Sequence, residues 1–524
     1  MKKYFVLFFT LLSILTFSSC STYNFENVDT IDNNNRVMYQ IFVGSFSDSN
    51  NDGIGDINGI TNRIDYLNDG NTESGKSLGV QGLWLSPIFE SNSYHKYDAI
   101  DYYTIDPKFG TIEDLKKLIE ECHKRNVIVI LDLAINHTST SSLWFKEFVK
   151  ARQQADEENP YYDYYTCVKA SGQQVGSTYQ KIQNTNQYYE CNFSTDMPEL
   201  NFDNPKVVAA CLDVCKYYLE LGIDGFRFDA VKYIYYKNDE KNIEFWNNFN
   251  SEIKKIKSDA YLVGEMWEPD TLSMKYTSTM SCFSFSGAMA EGYIASAANG
   301  SSNSINSFTK YVTNYESEVK NISNDARFTP FISNHDMDRA AGYIYQLGAP
   351  QMAANLYILT NGSPIIYYGE EIMMKGSRGG AQTDANRRLA MLWGDGDTVS
   401  DPNGATYSID KQINGTVKSQ LRDSNSILNY YSKVIAFRNK YPCIINGEFS
   451  QLNIGNKYAG GFKIKYDSSN YALIHNTDSV EAIIELSSIG EGKYQSLIDY
   501  IGLGQAKIEG NNLIIPAKTS VLLK

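Results

Sequence analysis

Eight short apolar runs recur between Val37 and Glu371, and most are separated by stretches of helical periodicity. In order they are VMYQIFVGSF from Val37, VQGLWLSPIF from Val80, VIVILDLAINH from Val127 and GIDGFRFDA from Gly222. YLVGEMW from Tyr261, CFSFSG from Cys282, FTPFISNHD from Phe328 and SPIIYYGEE from Ser363 complete the set. Between them, IEDLKKLIEECHKR and NPKVVAACLDVCKYYLEL place apolar residues on one helical face, the second opening with Asn204-Pro205 as a helix start. A strand that is apolar throughout is covered on both faces, as in a parallel sheet wrapped by helices. Eight such strands predict an α/β chain closed into a (β/α)8 TIM barrel, whose chemistry sits at the C-terminal strand ends.

Two stretches break the alternation. Residues 138–198 are polar and tyrosine-rich, with YYDYYTC near the middle. A loop of that length inside a compact domain usually has a function, and it predicts a small domain inserted after strand 3. From residue 441 the period changes to two, as in FKIKY, YALIH and NLIIP, which predicts a C-terminal antiparallel β-domain over 441–524. The barrel then comprises residues 21–137 and 199–440.

The first twenty residues, MKKYFVLFFTLLSILTFSSC, read as a secretion signal: two lysines, an apolar run too short to span a membrane, then small residues. Ser18-Ser19-Cys20 resembles the lipobox of bacterial lipoproteins, with Phe17 where Leu is usual. The expectation is a secreted protein held at a membrane surface by a lipid on Cys20, the alternative being ordinary cleavage. Of eight cysteines, Cys20 sets one apart and leaves seven, an odd number that argues against a complete disulfide framework. Cys122, Cys211 and Cys215 lie in helix-like segments and are expected as buried thiols; Cys167 and Cys191 are near enough in sequence to pair. A net charge of -14 without a basic run excludes a nucleic-acid partner. The 39 tyrosines serve packing or offer platforms for sugar rings. A monomer is expected.

Polar residues gather where the barrel strands end. Asp132, Asn136 and His137 close the third, Arg227 and Asp229 the fourth, Glu265 the fifth, and His335 with Asp336 the seventh. One such residue is often a cap; carboxylates at four strand ends of one face point to catalysis. Carboxylates gathered in this way suit chemistry in which one, ionised, acts at an electron-poor carbon and another, protonated, gives its proton to a leaving group. Arg227, two residues before Asp229 on one strand, faces the same side and is expected to hold Asp229 ionised. Glu265, between YLVG and Met266-Trp267, is expected to have the raised pKa of a general acid.

DLAINH, GFRFDAVKY, GEMW and FISNHD resemble, in that order, four signature motifs of the α-amylase family of glycoside hydrolases. SYHKYDAIDYY, MPELN and DANRRLAMLW are similar to further segments of that family, and the resemblance runs from about Val37 to the end of the chain. It implies Asp229 as nucleophile, Glu265 as acid/base and Asp336 as transition-state stabiliser. It also implies His137 and His335 as hydrogen-bonding residues to the sugar on the cleaved side, with Tyr97 stacked beneath. Retention of anomeric configuration, also implied, requires the two working carboxylates about 5–5.5 Å apart.

DSNNDGIGD, Asp48 to Asp56, opens like an EF-hand loop, but the twelfth position, which should carry Glu, is Gly59. Members of the family carry a similar calcium loop directly after the first strand. The resemblance therefore implies a Ca2+ site with side-chain oxygens of Asp48, Asn50, Asp52 and Asp56 and the carbonyl of Ile54, with Gly53 and Gly55 permitting the curl. The alternative is a solvated acidic turn.

The chain departs from the family pattern in places. Lys96 stands where Gly is common, and Tyr233 where many members have His, which puts a second calcium between barrel and insert in doubt. Ala230, Val231 and Lys232 look more like endo-acting members, with Lys232 reaching the sugar on the leaving-group side. The leading expectation is an endo-hydrolase of α-1,4 bonds in starch, glycogen or maltodextrins. The alternatives are an exo-acting α-glucosidase, an oligo-1,6-glucosidase, a transglycosylase or a non-catalytic glucan-binding protein.

Overall fold

The computed structural model describes residues 33–71, 74–169, 178–408, 412–490 and 493–524. The leader and Cys20 lie outside the described residues. Strands β1 (Met38–Ile41), β2 (Gly82–Leu85), β3 (Ile128–Leu133), β4 (Gly225–Phe228), β5 (Tyr261–Gly264), β6 (Ser281–Cys282) and β7 (Ile365–Tyr367) pair in parallel, in the order β6-β5-β4-β3-β2-β1-β7. The gap between β6 and β7 is closed by residues 328–331 through single parallel bridges, Phe283 to Thr329 and Phe331 to Ile365. Pro330 in that stave has no N–H to give a ladder, so the stave closes the barrel without forming a regular strand. The barrel is therefore the eight-staved one that the apolar runs predict.

Alternation along the staves builds the interior. Met38, Trp84, Ile128, Ile130, Tyr261, Val263, Phe283 and Ile365 pack together inside the barrel. Residues two further on face the same way, which places Gln40, Asp132 and Glu265 above that plug; Arg227 joins them, in register with Asp132 and Val263. Gly225 is required beneath: a Cβ there would lie 1.9 Å from the Tyr261 carbonyl oxygen.

The helices begin where the sequence signals them. Thr111 and Asp114 form a capping box at α1 (Ile112–His123), and the Asn204 side chain accepts from Lys206 N at α2 (Pro205–Leu221). Between β3 and α2 lie a helix, Leu143–Gln154, and a small antiparallel sheet of Cys167–Val168, Tyr188–Glu190 and Tyr179–Lys181. Bridges from His137 to Glu199 and from Tyr165 to Leu200 tie this insert to the barrel rim. Cys167 and Cys191 are both free thiols, and Cys122, Cys211 and Cys215 are buried ones. After α3 (Ile427–Lys440) and a short helix, Pro442–Asn446, the chain forms antiparallel sheets of five and three strands. Asn355 ties this domain to the barrel, donating 2.9 Å to Ser520 and accepting 3.0 Å from Tyr430.

Candidate active site

Arg227 is the hub. It is fully buried, and its Nη1 donates 2.7 Å to Asp132 Oδ1 and 2.6 Å to Asp229 Oδ1. Its Nη2 lies 3.0 Å from Glu265 Oε2, an ion pair without hydrogen-bond alignment. One guanidinium thus brings together the carboxylates that end three consecutive staves.

Their acidities separate by environment. Burial raises Asp229 to about 6, against the opposing pull of Arg227. Arg227 acts in the direction the sequence predicts, favouring the ionised form, but desolvation outweighs the pair, so Asp229 loses its proton only near pH 6. Burial also raises Glu265, to about 7, again opposed by Arg227 and reinforced by Asp229. Met266 contributes as a buried neighbour, whereas Trp267 turns outward, 41% exposed and stacked on Phe285 with centroids 4.9 Å apart. Asp336 goes the other way. Burial pushes it up, but His335, with Nε2 3.0 Å away, and Arg388, which donates 2.8 Å to Oδ1, hold it well below the usual range.

A second layer orients these groups. Tyr97 donates 2.8 Å to Asp132 Oδ2, which also accepts from Trp84 Nε1 at 3.1 Å, and the Tyr97 hydroxyl lies 2.6 Å from His335 Nε2. His137 is buried, with Nε2 3.2 Å from the Tyr97 carbonyl oxygen, and burial lowers its pKa to about 4. Tyr97 is thereby held at both ends. Lys96 before it has φ 66, the left-handed conformation that explains why Gly is common there. Its buried ammonium pairs with Asp106 at 2.5 Å. Lys232 pairs with Glu268 and donates 3.4 Å to the Trp267 carbonyl, on the Glu265 side of the site.

Comparison with known proteins shows the family. The description "Alpha amylase, catalytic domain" fits residues 40–447. The chain belongs to the α-amylase family. "Alpha-amylase 3" of Dictyoglomus thermophilum is 33% identical over 498 residues, 94% of this chain and 93% of that protein. "Oligo-1,6-glucosidase" of Parageobacillus thermoglucosidasius is 30% identical over 79% of this chain and 85% of its own length. The solved structure of Eubacterium rectale Amy13B superposes with a TM-score of 0.85 at 33% identity, covering 94% of this chain and 96% of that one. This α-amylase-family chain is thus a glycoside hydrolase acting on α-glucans, in a family with more than one linkage preference.

Sequence reasoning gave no role to Arg388, Trp84 or Gln40. Arg388 was visible only as one of two arginines in DANRRLAMLW, and nothing local says that it reaches Asp336. Gln40 had a legible signal, as the sole polar residue inside the apolar run VMYQIF. Tyr233 packs on Phe193 of the insert with centroids 4.7 Å apart, so aromatic contact fills that junction.

The Asp48–Asp56 loop curls as consecutive Asx turns. Asp48 Oδ1 accepts from the amides of Asn50 and Asn51, Asn50 Oδ1 from Asp52, and Asp52 Oδ1 from Ile54. Burial pushes Asp48 up, but bonds from Thr398 and the loop amides outweigh it and hold its carboxyl below the usual range. Asp56 also caps the helix that follows, accepting from Gly59 N at 2.7 Å, and accepts from Ser49. Among the described residues no group of three or more His, Cys, Asp or Glu side chains is arranged to hold a metal ion. A cation here would depend on the oxygens of Asn50 and Ile54 as much as on carboxylates.

Proposed function

We propose that this chain is a retaining endo-hydrolase of α-1,4 bonds in starch, glycogen or maltodextrins. The carrying observation is the Arg227 hub, which gathers Asp229 and Glu265 around one guanidinium while burial raises them to about 6 and about 7. Near neutral pH Asp229 is mainly ionised while much of Glu265 keeps its proton. Asp229 attacks the anomeric carbon as Glu265 protonates the departing oxygen, giving a glycosyl ester on Asp229 and a free sugar hydroxyl. Glu265, now ionised, takes a proton from water, which cleaves the ester and releases Asp229.

Asp336, held ionised by His335 and Arg388, accepts hydrogen bonds from sugar hydroxyls, and Tyr97, His335 and His137 form the wall beside them. Two features support internal cleavage: Trp267 offers an exposed ring beside Lys232, and a cavity of about 790 Å³ is lined by Asp338, two residues after Asp336, with Tyr343, Tyr345, Lys375 and Tyr407. Similarity to an α-amylase over nearly the whole chain supports the same reading. Chromatography of products from starch, pullulan and isomaltose tests it: maltooligosaccharides from starch, with isomaltose untouched, are expected. Rapid isomaltose cleavage would favour the 1,6-acting alternative.

The same reading includes a structural Ca2+ on Asp48, Asn50, Asp52 and Asp56 with the Ile54 carbonyl, supported by the Asx-turn curl, and a monomeric enzyme held outside the cell by a lipid on Cys20. Replacing Cys20 by Ala should move the protein from the membrane to the soluble fraction; unchanged partition refutes the anchor. Size-exclusion chromatography checks the monomer.

A further inference from the structure

Gln40 sits at the centre of β1, wholly buried, and its side chain reaches one partner: Nε2 lies 2.7 Å from His335 Nδ1. Its Oε1 is buried and has no partner among the described residues. Buried polar atoms are nearly always satisfied, so an amide that leaves one end unpaired for a single contact points to what that contact does.

The direction of the contact follows from its neighbours. Trp84 Nε1 and the Arg227 guanidinium are donors only, and both point at Asp132, to Oδ2 and Oδ1 respectively. Asp132 Oδ2 is therefore an acceptor, and it takes the Tyr97 hydroxyl proton at 2.8 Å. With that proton spent, the Tyr97 oxygen accepts from its other neighbour, His335 Nε2, at 2.6 Å. The same Nε2 faces Asp336 Oδ2 at 3.0 Å, a second acceptor. Nε2 thus carries hydrogen, and Nδ1 is left as the acceptor that the Gln40 amide requires.

We infer that Gln40 is a positioning residue for the hydrolytic site: by donating to Nδ1 it fixes His335 as the Nε2–H tautomer, which keeps the imidazole donating toward Tyr97 and Asp336. Without that donor, the proton is free to sit on Nδ1, and Nε2 becomes an acceptor facing an ionised carboxylate and a hydroxyl whose proton is already committed. The Asp336 wall would lose its donor with no change in the catalytic pair. The effect on turnover rests on the sugar-contacting role proposed for Asp336 and His335; the tautomer assignment does not.

The test is nitrogen-15 correlation spectroscopy of the histidine rings together with kinetics on maltoheptaose. Only five histidines are present, so a His335 variant assigns its signals by difference. In the unaltered enzyme His335 should show a protonated Nε2 and a bare Nδ1. Gln40→Met, which keeps the volume and removes the donor, should lose that single pattern and lower kcat/KM by about 10-fold or more, mostly in kcat. Gln40→Glu should put hydrogen on Nδ1 and fail to restore activity. If the unaltered enzyme shows hydrogen on Nδ1, alone or on both nitrogens, the inference is overturned without any variant, so a misfolded Gln40→Met leaves the question decidable. A Gln40→Met enzyme with changed ring signals and unchanged kcat/KM would overturn the positioning role. Failure of the hydrolytic reading would appear instead as no product from any glucan, with the ring spectrum intact.

Discussion

Arg227 donates a 2.6 Å hydrogen bond to Asp229, yet the carboxyl it grips sits at about 6, above the usual range. Both facts follow from burial, which penalises the charge more than one shared guanidinium restores it. The site therefore holds two carboxyls that titrate close together, and the catalytic state is a narrow one.

That predicts a bell-shaped pH profile. The attacking form needs Asp229 without its proton and Glu265 with it. kcat/KM on maltodextrin should climb as pH rises through about 6 and fall as it passes about 7, with both limbs belonging to the coupled pair. Steady-state rates across the acid and alkaline range check it. An alkaline limb in the range of free tyrosines or lysines would remove Glu265 from the role of acid.

Asp229→Asn and Glu265→Gln should each cut turnover by a factor of at least about 10³ while leaving maltodextrin binding detectable, since each removes covalent or proton-transfer catalysis alone. Stopped assays on soluble starch and calorimetric binding measure the two effects. Near-native turnover of either variant would sink the assigned roles.

Gly59 occupies the place of the EF-hand glutamate for a steric reason: a Cβ there would lie 1.9 Å from the Ser47 carbonyl oxygen. Gly59→Glu should therefore destabilise the protein by about 2 kcal/mol or more and fail to tighten calcium. Asp48→Ala with Asp52→Ala should abolish any rise of the thermal midpoint in calcium, because a ligand that binds only the folded state stabilises it by linkage. Wild-type melting indifferent to both calcium and chelator would show a turn and no site.

Mode of attack has its own readout. Viscosity of a starch solution should fall faster than reducing ends appear. Lys232→Ala should lower kcat/KM on long chains by roughly 5–30-fold, the loss of one charge-assisted hydrogen bond. Glucose as the sole early product from maltoheptaose would overturn the endo reading and leave the catalytic residues in place.

The barrel and the identity of its polar ends were legible because both are local properties. Apolar runs of strand length separated by helical periodicity specify a buried parallel sheet, and the two-residue alternation puts Arg227 and Asp229 on one face before any contact is known. The amide capping α2, the period-two alternation after residue 441 and the odd set of thiols were readable in the same way. What tertiary structure decided was every quantity that depends on distance between staves. The pKa of Asp229 is set by the balance of burial against pairing; Arg227 shows only the pairing, and the burial comes from neighbours that are distant in sequence. Arg388 reaches Asp336 across 52 positions, and Gln40 reaches His335 across 295. No periodicity encodes such pairs, because they arise only when the barrel closes and brings its staves and the loops after them onto one rim. The clash that forbids a side chain at residue 59 is of the same kind: it exists only once the helix lies against Ser47.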